Sequence, residues 1–180
     1  MIARRDVAAM TIRLAELNRL DRERFTAALA GIFEASPWVA ERAWDARPFP
    51  SLEALDSALC AVVADANVDE KLALIRAHPD LAGKAARAGT LGAESGREQS
   101  EAGLDRLSPE EAAQFARLNS AYREKFGFPF VICARENRKQ RILEGFSKRL
   151  ANSCAEEIET ALGEIGRIAH FRLLDAVSET

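Results

Sequence analysis

Three groups of side chains in this chain are of types, and at spacings, that could do chemistry. The first is His78, one of only two histidines, in the run Arg76-Ala77-His78-Pro79-Asp80-Leu81. A residue that precedes proline avoids the helical region, so His78 is predicted at a helix exit, on a stiff mount. Histidine is the side chain best suited to take and return a proton near neutral pH. A surface histidine, or one satisfied by its neighbours, is the competing reading. The second group is Ser95, Glu98 and Gln99, which at i, i+3 and i+4 share one helix face. Ser-x-x-Glu is also the pattern of a capping box, which accounts for two of the three without any function and leaves Gln99 over. The third is Arg172, which continues the apolar line Ile158, Leu162, Ile165 and Ala169. A guanidinium on a core-facing stripe is costly unless something anionic meets it. Arg172 therefore either grips a carboxylate or snorkels out near the helix end, where the dipole favours a cation. The other histidine, His170, falls about 200° round the axis from Arg172 and reads as a surface or satisfied residue.

The elements that must position these side chains are helical. The segments 21–34, 36–44, 51–66 and 68–77 repeat apolar residues at steps of three and four. In the first of them Phe25, Leu29, Ile32 and Phe33 form one face. A strong start signal opens 108–126, with Ser108 as cap, Pro109 next and Glu111 third; Gly127 and Pro129 end it. Segments 137–152 and 155–177 close the chain. The run Pro129–Ala134 is apolar, rich in β-branched residues and too short for a helix. No other segment offers it a sheet, so it reads as a buried extended stretch whose main-chain donors and acceptors are left unpaired by any ladder. The expected architecture is all-α: a single-domain bundle over 1–180 of about eight or nine helices with one short extended apolar segment.

Composition bounds the function. With 180 residues the chain is long enough for a real core. Its net charge of −3, with basic residues scattered among acidic ones, gives no footprint for nucleic acid. Cys60, Cys133 and Cys154 are far apart and form no disulfide framework, which fits a reducing compartment. With His78 and His170 also distant, no ligand spacing for a metal is present. The N-terminus is too polar for a signal peptide, no apolar run reaches the length of a membrane span, and Ser-Glu-Thr at the end is not a peroxisomal address. A cytoplasmic location is expected.

Four stretches in order carry a resemblance: HPDLAGKAA from 78, SGREQSEAGLD from 95, LNSAYREKFGFPFVICAR from 118 and EIGRIAHFRL from 164. FEASPWVAERAW from 33 and the following Arg47-Pro48-Phe49 extend it. Together they resemble the OHCU decarboxylases, enzymes of 2-oxo-4-hydroxy-4-carboxy-5-ureidoimidazoline, from about Leu17 to Leu173. Residues 1–12 lie outside the likeness and read as an N-terminal extension. The resemblance implies an all-helical homodimeric carboxy-lyase of urate breakdown that makes (S)-allantoin and needs no cofactor. It implies catalytic roles for His78, Glu98 and Arg172. It implies substrate contacts from Pro79, Ser95 and Gln99, and from Phe130, Val131, Ile132, Cys133 and Ala134. Gly92 and Gly96 depart from the pattern and loosen the start of the helix that bears Glu98. Two other classes compete. An all-α module that docks a peptide would need an exposed apolar stripe and no polar trio. A hydrolase of the same pathway would need a nucleophile or a metal, and Cys133, the only nearby thiol, has in its apolar run the setting of an inert packed thiol.

Overall fold

A computed structural model of the chain describes residues 11–180. All but the last two residues of the expected N-terminal extension, 1–12, therefore lie outside the described residues. The chain forms two compact units, one made of residues up to Asp65 together with Ala169–Thr180, the other of Ala66–Ile168. Among the described residues there are ten α-helices, eight of them longer than five residues, so the all-α expectation holds.

In the first unit a short parallel ladder joins β1 (Ile12–Arg13) to β2 (Val177–Ser178), with Ile12 opposite Val177. Two residues carry no alternation to read, so the sequence offers no sign of this pair. Four helices follow β1: α1 (Leu14–Leu17), α2 (Arg22–Ala28), α3 (Trp38–Ala43) and α4 (Leu52–Asp65). Asp21 caps α2 by accepting from the Arg24 N–H at 2.8 Å. The spacing predicts a helix over 21–34, but α2 stops at Ala28 and the chain continues in turns. Gly31 costs about 1 kcal/mol in a helix, and Ala35 adopts φ 44° in the left-handed region. Phe25, Leu29, Ile32 and Phe33 are all buried as the spacing predicts; turns rather than helix deliver the last two. Arg47 clamps this unit: its guanidinium lies 3.8 Å from the Trp44 ring and donates to the carbonyls of Asn18 at 2.9 Å and Leu20 at 2.8 Å.

The second unit holds α5 (Val68–Ala77), α6 (Lys84–Ala88), α7 (Ala93–Glu101), α8 (Pro109–Phe126), α9 (Lys139–Arg149) and the Cys154–Ile168 part of α10 (Cys154–Ala176). Reciprocal capping boxes start α5, from Asn67 and Glu70, and α8, from Ser108 and Glu111. Aromatic rings fill the core. Phe130 stacks on Phe146 with centroids 3.8 Å apart and meets Tyr122 edge-on at 5.2 Å. None of these helices, nor those of the first unit, is long and apolar enough to cross a membrane among the described residues.

Within this aromatic core sits a fully buried carboxylate, Glu157. It accepts from the Tyr122 hydroxyl, from Arg149 Nε at 2.6 Å and from Asn152 Nδ2 at 2.8 Å. Burial, and then the bond to Glu157, push the Tyr122 phenol well above its ordinary pKa, so it stays protonated and donates. Breaking a buried pair by neutralising one member leaves an uncompensated charge and costs about 3–5 kcal/mol, whereas an exposed pair contributes under about 1 kcal/mol. Urea unfolding of Glu157→Gln is expected to show the larger loss, and Asp45→Asn, at the exposed Arg22–Asp45 pair, the smaller.

Candidate active site

His78 ends α5 as the sequence requires. Pro79 follows it, and its backbone is extended at φ −73° and ψ 138°. The side chain is buried, and Nδ1 lies 3.1 Å from the Leu74 carbonyl oxygen. A carbonyl only accepts, so Nδ1 carries the proton and donates. In the neutral ring this leaves the lone pair on Nε2, the arrangement a general base needs.

The loop that follows is stitched down at each residue. Asp80 Oδ1 accepts from Arg123 Nε at 2.8 Å, and the Leu81 carbonyl accepts from Asn119 Nδ2 at 2.8 Å, both donors on α8. The Ala82 N–H donates to Gln99 Oε1 on α7 at 2.9 Å. Ala82 itself holds φ 51°, and a Cβ on Gly83 would stand 2.7 Å from Asp80 Cβ. The stiff mount expected for His78 is therefore built by four neighbouring residues as well as by Pro79.

Helix α7 decides between the two readings of Ser95 and Glu98. Its N-cap is Gly92, and Ser95 stands inside the helix, three residues on. Ser95 is thus no cap, and Glu98 is not the partner of one. Ser95, Glu98 and Gln99 are instead all buried, a polar trio on one face of a nine-residue helix. Buried polar groups cost free energy until each is bonded, and Gln99 is bonded to the Ala82 N–H.

The stretch from Pro129 to Cys133 is irregular and buried apart from half-buried Ile132, and it runs into a 3₁₀ turn, Ala134–Glu136, that packs against α7. The absence of a sheet does not leave its main chain idle, contrary to the sequence expectation. Arg149 Nη1 donates to the Val131 carbonyl at 2.6 Å, and the Cys133 N–H donates to Glu164 Oε2 at 2.8 Å. Burial pushes the Cys133 thiol above its usual pKa, which disfavours a thiolate nucleophile.

Arg172 belongs to the first unit. It is buried rather than snorkelling, and its Nη1 donates to the Gly31 carbonyl at 3.2 Å and to Glu34 Oε2 at 3.0 Å. The turns that replace the expected end of α2 are what present these two acceptors. The buried line of α10 runs Glu157, Ala161, Ile165, Ile168, Arg172. It begins one residue earlier than the stripe read from Ile158, and Ile158 and Leu162 flank it half-buried. His170 is exposed and pairs with Asp56 at 2.7 Å, as a satisfied residue. Among the described residues no three His, Cys, Asp or Glu side chains gather as a metal ligand set.

The sequence profile of the OHCU decarboxylases matches residues 18–174. The chain belongs to that family. A 2-oxo-4-hydroxy-4-carboxy-5-ureidoimidazoline decarboxylase of Halalkalicoccus jeotgali is 41% identical over 88% of this chain and 88% of its own length. One of Haloferax volcanii is 42% identical over 92% of this chain and 96% of its own. The crystal structure of an (S)-allantoin synthase superposes with a TM-score of 0.73 at 27% identity, over 93% of this chain; the chain spans 54% of that protein. The family match contains every residue named above as a site candidate.

Sequence reading missed Asn119, Arg123, Arg149 and Glu164, which bond to segment 129–134 or to the loop after His78, and Glu157, which holds Arg149. One signal was available. Arg149 lies three residues after Phe146 and seven after Ile142 on the buried face of α9, the same anomaly that singled out Arg172.

The glycines sort by the same geometry. Overpacking a tight site costs about 1–3 kcal/mol, so Gly83→Ala, against Asp80, is expected to lower the unfolding free energy by that amount. Gly96 lies in the middle of α7, and a Cβ there would meet only Leu91 Cβ at 3.8 Å, so Gly96→Ala is expected to stabilise by about 0.5–1 kcal/mol. Denaturant titration of the two variants reads both signs.

Proposed function

We propose that this chain is the carboxy-lyase that converts 2-oxo-4-hydroxy-4-carboxy-5-ureidoimidazoline to (S)-allantoin in urate breakdown. The observation that carries the reading is the buried polar face of α7, bonded through Gln99 to the loop that starts at His78. Such a face suits a small polar substrate and has no place in a module that docks an apolar peptide. The 41% and 42% identical relatives bear that enzyme's name over nearly their whole length.

The chemistry follows from the substrate. One ring carbon bears the carboxylate and a hydroxyl, and its neighbour is an imine carbon bearing the ureido group. As the bond to the carboxylate breaks and CO₂ leaves, its electron pair forms a carbon–carbon double bond and the imine nitrogen takes up a proton. The product is an enol. It becomes a ketone when the hydroxyl proton is removed and the former imine carbon is protonated, which creates the stereocentre. The ring supplies its own electron sink, so the reading involves no cofactor and no metal.

His78 Nε2 takes the hydroxyl proton, with the tautomer set by the Leu74 carbonyl. Glu98 orients His78 or the ureido N–H groups. Arg172 binds the substrate carboxylate, its guanidinium aimed by Gly31 and Glu34. Pro79, Ser95 and Gln99 bound the ring and ureide, and Phe130, Val131, Ile132, Cys133 and Ala134 contribute main-chain contacts. The enzyme acts as a homodimer in the cytoplasm. Its location is supported by three free thiols, which suit a reducing compartment.

The test generates the unstable substrate from urate in situ and follows the circular dichroism of the product. The protein is expected to speed the appearance of (S)-allantoin; an unchanged time course would reject the reading. In the same assay His78→Asn is expected to lose about 10²- to 10⁴-fold in kcat with its thermal transition intact. Arg172→Met is expected to lose kcat/KM, and Arg172→Lys to keep part of it, because an ammonium is a point charge without the planar fork.

A further inference from the structure

Segment 130–134 is held by α9 and α10. Gly145 of α9 faces it: a Cβ there would stand 3.3 Å from Phe130 Cζ and 3.7 Å from Ile132 Cδ1. Side chains two residues apart on one face mark an extended chain. The two grips on the main chain are the Val131 carbonyl, held by Arg149, and the Cys133 N–H, held by Glu164.

Glu164 differs from Arg149 in where it stands. Arg149 is buried in the core network, whereas Glu164 lies on α10 at the border of solvent, 16% exposed. Its other oxygen, Oε1, lies 3.6 Å from Arg167 Nη1, and the same Nη1 lies 3.5 Å from Glu136 Oε2. The carboxylate is thus tied both to the segment and to the Ala134–Glu136 turn that packs against α7. Cys133 is 1% exposed, so its N–H needs an acceptor from the protein.

We propose that Glu164 is a positioning residue of the decarboxylase: by accepting from the Cys133 N–H it sets the register in which segment 130–134 meets the substrate. The proposal rests on the reading that this segment contacts substrate. Glu164 acts on substrate affinity and leaves the proton transfers of His78 alone.

Glu164→Ala and Glu164→Gln are compared in the urate-coupled assay, with thermal melting and with hydrogen exchange of the peptide that contains residues 128–136. An amide oxygen still accepts from an N–H, so Gln keeps the bond and Ala removes it. The expected result is a KM raised about tenfold in Glu164→Ala with kcat within about threefold. Faster exchange should be confined to that peptide, and Glu164→Gln should return KM to within about threefold of the wild type. Unchanged KM with unchanged exchange in Glu164→Ala overturns the proposal and leaves the decarboxylase reading standing. Faster exchange with unchanged KM overturns it differently, by removing the segment from the substrate site. A Glu164→Ala protein that melts below the assay temperature, with Glu164→Gln equally inactive, makes the residue structural and also overturns it. Inactive wild-type protein would count against the decarboxylase reading itself.

Discussion

A carboxylate without solvent is the constraint around which the second unit is arranged. An anion placed in an aromatic core loses its hydration and must recover it from protein donors. Glu157 recovers it from three elements: Tyr122 on α8, Arg149 at the end of α9 and Asn152 just beyond. Each donor has to arrive in register, so the ends of α8 and α9 are set against α10 by one residue. An apolar side chain of the same volume would be cheaper for stability alone. What it would not do is hold Arg149 in place, and Arg149 carries the Val131 carbonyl. The buried charge is thereby linked to the shape of a segment with no secondary structure of its own.

The same logic runs outward from there. Glu164 takes the Cys133 N–H, the following turn lies against α7, and α7 reaches through Gln99 to Ala82 in the loop behind His78. The main-chain groups held in these contacts, at Cys133 and Ala82, lie outside helix and strand. Side-chain-to-main-chain bonds do the work that a ladder would do in a sheet. That suits the site proposed above, in which peptide groups and an imidazole are held in fixed directions without a strand partner.

Much of this was legible in the residues. Period three-and-four spacing exposed the long helices, and the Ser108–Glu111 capping box marked the start of α8 where the structure has it. His78 before proline, and Gln99 beside Glu98, stood out because no structural rule needed them. Three things were hidden, each for a physical reason. The Ser95–Glu98 spacing matches a cap but lies inside a helix whose N-cap is Gly92; two identical patterns differ only in where the first turn starts. The end of α2 at Ala28 depends on Gly31 and on a left-handed Ala35, a conformation alanine does not advertise. The acceptors for Arg172 lie about 140 positions away in the chain, and no local pattern reports a contact of that separation.

The discontinuity of the first unit has a consequence for how the protein is made. Residues 66–168 form a continuous stretch and include both the Glu157 network and the His78 loop. Synthesis runs from the N-terminus, and domains fold as units while it proceeds. The second unit can therefore gather on the ribosome as soon as α10 has emerged as far as Ile168. The first unit, although most of it is translated earlier, stays incomplete until Ala169–Thr180 arrive. Ile12 waits for Val177, and Glu34 waits for Arg172. Of the two units, the one whose translation starts earlier is completed later.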